Sequence, residues 1–155
     1  MANTVQLYEA RLPQINRRHR VKMERLETAI KTELRQVDLK EEHLYARGTY
    51  TRILHIPKGT AITGKIHRHA CINILSKGKI AVVTDEGTYA LEAPAHFVSG
   101  PGVKKAGYAL EDSIWVNVHP WDGAEDLHLI EDAIIIPGYE ALEREIRMAL
   151  EDNTQ

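Results

Sequence analysis

His67-Arg68-His69 sets two imidazoles one residue apart, inside a stretch bounded by Gly59 and Gly78. In an extended chain side chains alternate, so His67 and His69 share a face, their Cα atoms about 7 Å apart. Lys65, Cys71 and Asn73 join that face if the strand runs unbroken, while Ile66, Ile72 and Ile74 take the other. Two rings so placed can converge on one ion or one anionic ligand. A helix would turn residues i and i+2 to different sides. A third imidazole comes from Ser113-Ile-Trp-Val-Asn-Val-His119, where alternation groups Trp115, Asn117 and His119 against Ile114, Val116 and Val118. Cys71 is the single cysteine. It excludes an intramolecular disulfide, fits a reducing compartment, and reads as a small core residue, since nothing in the sequence fixes a histidine within its reach.

These residues need a scaffold, and 155 residues suffice for one domain with a full core. A net charge of −2 exerts no global pull on nucleic acid or anionic lipid, so neither partner is expected. Arg17, Arg18, His19, Arg20, Lys22 and Arg25 form a basic cluster that reads as a solvated helix face or a contact for an acidic partner. No apolar run approaches the ~18 residues of a membrane span, and no apolar core of signal-peptide length opens the chain. The expected location is cytoplasmic. Walker loop, dinucleotide fingerprint, Gly-x-Ser-x-Gly elbow and paired-cysteine zinc site are all absent from the sequence.

Met23, Leu26, Ile30, Leu34 and Val37 recur at three and four, which predicts a helix over 13–37 whose stripe packs on a sheet or on a second subunit. We expect at least part of it to serve a homo-oligomer, a dimer or larger. Beyond Leu39-Lys-Glu-Glu-His the pattern changes to short β-rich runs: 45–56, 61–69, 71–76, 79–84, 88–91, 96–98, 103–110 and 113–119. About eight short strands separated by turn residues argue for a barrel or double-sheet jelly roll. A short helix over 125–132, a connector or edge strand at 134–136 and a helix over 139–150 follow. The expected division is a helical arm over 1–40, a barrel over 41–122 and a helical segment over 123–155.

Gly59 through His119 resembles the cupin family of small β-barrels. His67-Arg-His69 with the turn at Gly78 stands for the family's first motif, and Pro101-Gly102-Val-Lys-Lys105 for the second. The resemblance implies a mainly β, cupin-like jelly-roll barrel with flanking helices and, in many members, a single divalent metal ion. The chain departs from the pattern at two ligands. Cys71 or Asn73 falls where the family has glutamate, and Lys104 or Lys105 where it has a histidine; an ammonium has no lone pair for a metal. His119 could complete a set with His67 and His69.

By strand alternation at least one of Lys104 and Lys105 points into the barrel, where it would hold a carboxylate or phosphate. The expected ligand wall is His67, His69, Lys105, Lys104, Asn73, Tyr108 and Trp115, around a small polar, anionic molecule. Small stand-alone cupin-like chains with the Pro101–Lys105 stretch look like proteins of tailed phages, which would make the ligand a host metabolite or signal. Two alternatives stand beside this reading. One is a metal-dependent oxygenase, isomerase or lyase using His67 and His69. The other is an assembly protein whose barrel is filled by its own side chains.

Overall fold

The computed structural model describes residues 16–152, so the first positions of the expected 13–37 helix lie outside the described residues. Helix α1 spans Arg17–Glu33, capped by Asn16, whose side-chain oxygen accepts from the backbone N–H of Arg18 and His19. That cap satisfies two of the free donors at the helix start. The helix ends earlier than the apolar stripe suggests. Leu34 is already extended, and Leu34 and Val37 are half exposed. Met23 makes the buried contact.

Strands β1 (Lys40–Ala46) and β2 (Thr49–Ile56) form a hairpin around Arg47-Gly48, with Gly48 at φ 79°. Expectation began this strand at Tyr45 and missed β1, because Lys40, Glu41, Glu42 and His43 carry none of the apolar alternation of a half-buried strand. β1 is a sheet edge, where charged side chains discourage pairing with other chains. The remaining strands are β3 (Ala61–Thr63), β4 (Ile66–His67), β5 (Cys71–Lys77), β6 (Lys79–Thr84), β7 (Gly87–Glu92), β8 (Ala95–Ser99), β9 (Ala106–Ala109), β10 (Ser113–Pro120) and β11 (Ile135–Ile136). They make a five-stranded sheet β1-β2-β10-β5-β8, a four-stranded sheet β3-β9-β6-β7 and the pair β11-β4, with every recorded pairing antiparallel. Ile56, Leu75, Ile80, Val82, Ala109 and Trp115 fill the core shared by the two large sheets. This is the expected double-sheet jelly roll with flanking helices.

The 61–69 run is not one strand. β3 pairs with β9, and after Gly64-Lys65 the chain moves to β4, which pairs with β11. It then bends at Arg68-His69. Arg68 is anchored at the bend: its N–H donates to the Ile134 carbonyl at 2.7 Å, and its guanidinium donates to the Asp132 and Ala133 carbonyls and the Glu145 carboxylate.

Helix α2 (Leu127–Ile134) is capped by Asp126, and α3 spans Tyr139–Asp152. Met23 of α1, Ile66, Ala106, Ile136 and Tyr139, Leu142 and Ile146 of α3 form one buried cluster. The helical arm, barrel and C-terminal segment thus share a core. Arg20 adds a link, lying 5.4 Å from the Tyr139 ring centroid and donating to Glu143.

Candidate functional site

Three strand ends meet at one place. His67 closes β4, Cys71 opens β5, and His119 lies near the end of β10. One ligand atom from each of these residues lies within 4.8 Å of the other two. Cys71 Sγ is 3.4 Å from His67 Nδ1. The two rings stand edge to face at 4.7 Å between centroids. Tyr50 stacks on the far partner, its ring 6.0 Å from that of His119, and its hydroxyl is 2.8 Å from His43 Nδ1. His119 is buried, and its Nδ1 has no hydrogen-bond partner among the described residues.

A polar chain runs from this cluster along the inner face of the five-stranded sheet. Asn117 Nδ2 donates to Asn73 Oδ1 at 2.8 Å, Asn73 Nδ2 donates to Ser99 Oγ at 2.6 Å, and Lys105 Nζ donates to the same Ser99 oxygen at 2.7 Å. Register explains the first link, since Asn117 on β10 is directly opposite Asn73 on β5. Asn73 is fully buried, and a buried amide must have such partners.

Burial sets the electrostatics. It pushes His67 down to about 3, helped by the Lys105 ammonium and by repulsion from His119 wherever that ring is protonated. It pushes His119 down to about 4, helped by Arg52 and Lys105. Both rings are therefore neutral near pH 7, the form in which imidazole offers a lone pair. Burial also raises the Cys71 thiol, with Lys105 acting against it, and lowers Lys105, with Cys71 acting against that.

A cavity of about 400 Å³ opens beside this chain. His67, Asn117, Arg52, Lys65, Lys105 and the carboxylates of Asp38 and Glu41 supply most of its polar wall, and Leu54, Ile62, Ile80, Val82 and Trp115 much of its apolar wall. Arg52 is already matched by Glu41 and Lys65 by Glu131. Lys105 differs: among the described residues its hydrogen bond goes to a hydroxyl and no carboxylate pairs with it. It also borders a second cavity of about 280 Å³ lined by Tyr89, Leu91 and Phe97. The larger one contains the histidine end of the chain and is the relevant one.

The structure brings together His67, His119, Asn73, Lys105 and Trp115 from the expected set. His69 is exposed in the bend after β4 and does not share a strand face with His67. Lys104 turns the other way, buried beside α1, where Nζ donates to Glu27 at 2.9 Å and its carbonyl meets His19 Nε2 at 3.1 Å. Tyr108 is exposed on β9 and lies outside the lining of the larger cavity. Cys71, Arg52 and Ser99 are additions. Cys71 was visible on the His67 face by alternation, whereas Ser99 gave only its position before Gly100-Pro101.

The metal pattern implied by the family resemblance does not fit here. Asn73 commits its amide to Asn117 and Ser99, Lys105 presents an ammonium, and His69 is exposed. His67, Cys71 and His119 are a different donor set in the same region, two neutral nitrogens and a sulfur.

No protein-family model and no curated protein matches the sequence. Solved structures do match. KdgF from Halomonas sp. superposes with a TM-score of 0.50 at 16% identity, covering 63% of this chain and 94% of that one. An RmlC-like cupin from Shewanella frigidimarina gives a TM-score of 0.49 at 21% identity, over 63% and 89%. A cupin superfamily protein from Desulfitobacterium hafniense gives 0.48 at 10% identity, over 61% and 87%. The likeness is one of fold, and the fold of this chain is that of the cupins.

Proposed function

We propose that the chain binds a small molecule with a carboxylate or phosphate head and an apolar body in the cavity of about 400 Å³. The observation that supports this is Lys105, a half-buried ammonium without a carboxylate partner among the described residues, on the wall of a pocket whose other two cations, Arg52 and Lys65, are paired with Glu41 and Glu131. Removing a cation from water without a counter-ion is costly, so such a group either sheds its proton or takes an anion. The size suits a small ligand. Trp115, buried at one wall with its ring edge to face against Phe97, offers an apolar surface to the body of that ligand. The likeness of the Pro101–Lys105 stretch to phage chains makes a host metabolite or signal the class to screen first. Native mass spectrometry of the full chain, with thermal-shift screening of small carboxylates and phosphate esters, tests the reading. Wild type should gain stability with a subset of them and Lys105→Met should not. No stabilising anion, or equal stabilisation of both proteins, refutes it.

We infer further that the chain pairs with itself, through the outer face of the five-stranded sheet rather than through α1. Register aligns Leu44, Thr51, Val118, Ile72 and Val98 in one outward row and Ile53, Val116 and Ile74 in the next. Val98 is 68% exposed, Leu44 56% and Ile72 46%. A two-fold parallel to the strands lays the β1 edge of one copy over the β8 edge of the other, apolar end on apolar end. Light scattering should show a dimer that Val98→Lys converts to monomer; a monomeric wild type removes the idea.

A further inference from the structure

We propose that His67, Cys71 and His119 form a site for one borderline-soft divalent ion of the zinc class, with donors different from those the family resemblance implies. The geometry is nearly closed already. Zinc bonds of about 2.0–2.1 Å to nitrogen and 2.3 Å to sulfur, tetrahedrally arranged, set nitrogens roughly 3.3 Å apart and nitrogen from sulfur roughly 3.6 Å. Cys71 Sγ and His67 Nδ1 are at 3.4 Å, and the widest separation in the triad is within 4.8 Å.

Three further observations point to an ion here. His119 Nδ1 is buried with no partner among the described residues, and an unpaired buried polar atom costs roughly 1–3 kcal/mol unless a ligand satisfies it. The His67 backbone is fixed by the pairing of β4 with β11, and the His119 ring stacks on Tyr50. Metal sites require this kind of support from the surrounding shell. Asn117 Nδ2 lies 3.9 Å from Cys71 Sγ, a long contact directed at the sulfur.

The donor set chooses the metal class. Thiolate with two imidazoles favours zinc-like ions over magnesium or calcium, which take oxygen. On binding, the Cys71 thiol gives its proton to solvent and its sulfur forms the bond to the ion. Two neutral imidazoles and one thiolate against a divalent ion leave a net positive centre. His67, Asn117 and His119 line a cleft of about 60 Å³, room for a water in a fourth position.

The test is a cobalt titration of the full chain, made without a histidine tag and stripped of metal. Near-ultraviolet absorption from thiolate-to-cobalt charge transfer should appear and saturate at one Co²⁺ per chain, and Zn²⁺ should abolish it. Cys71→Ser should remove the band, His119→Gln should weaken binding at least tenfold, and His69→Gln should change neither. A wild-type titration without the band overturns the proposal on its own, so it stays falsifiable even if a variant fails to fold. A band that survives Cys71→Ser, or binding lost in His69→Gln and retained in His119→Gln, overturns it too. Anion binding at Lys105 is read by separate titration, and either idea can fail alone.

Discussion

The rings of His67 and His119 meet edge to face at an interplanar angle of 82°, with 4.7 Å between centroids. One comes from β4 and the other from β10, which are not paired with each other; β4 pairs with β11, whereas β10 lies between β2 and β5. The contact therefore depends on the sheets closing, and it exists only in the folded chain. Burial keeps both rings neutral, so they can touch without repulsion and both retain a lone pair.

Adjacent lysines should behave differently. Lys105→Met should weaken binding of small carboxylates and phosphates about tenfold or more, the loss of one charge-assisted hydrogen bond of roughly 1.5–3 kcal/mol. Lys104→Met should leave that affinity within about twofold and lower stability by about 1–3 kcal/mol, because it removes the nearer of the two cations paired with the partly buried Glu27. Calorimetric titration and urea unfolding of the two variants separate these effects.

The same Glu27 predicts acid sensitivity. Burial raises its pKa, but the hydrogen bond and charge of Lys104, with help from Lys31, outweigh this and hold it below its ordinary 4.5. The unfolded chain takes up that proton first as pH falls. The contribution is thus complete above about pH 4.5 and is lost on descending through the lower folded value. Urea midpoints should fall between pH 6 and pH 3 by less in Glu27→Gln than in wild type; equal slopes would exclude a role for this pair.

On α1, Met23 and Leu34 belong to one stripe in the sequence and to different environments in the fold. Met23→Ala should cost about 2–5 kcal/mol, since the side chain is buried among Ile66, Tyr139 and Leu142. Leu34→Ala should stay within about 0.5 kcal/mol. Equal losses in urea unfolding would show that the stripe is buried along its whole length.

Gly78 should tolerate no side chain. Its φ is 86°, and an added Cβ would meet the Asp112 carbonyl oxygen. Gly78→Ala should cost roughly 2 kcal/mol or more in thermal or urea unfolding, whereas Gly138→Ala, with open space around it, should cost far less.

Much of the barrel was legible because its strands obey simple alternation. Residues 79–84 are a strand as expected, and the inward grouping of Trp115, Asn117 and His119 holds. β1 was hidden by its charges. His69 misled because strand alternation assumes the strand continues, and whether it does depends on Arg68 finding Glu145 and the end of α2, contacts remote in sequence. The choice between Lys104 and Lys105 was open for a similar reason, since Glu27 decides it from another element. The proximity of Cys71 to His119 could not be read locally, because β5 and β10 are brought side by side only by the sheet.

The buried cluster that joins Met23 to Ile66 and Tyr139 makes the outer helices part of the barrel wall. Cutting away α3 would do more than shorten the molecule: it would strip the backing from β11 and α1 together and let the histidine-bearing β4 peel open. The smallest unit that can present this chemistry therefore includes both helical ends, and a minimal barrel excised from between them would be an empty frame.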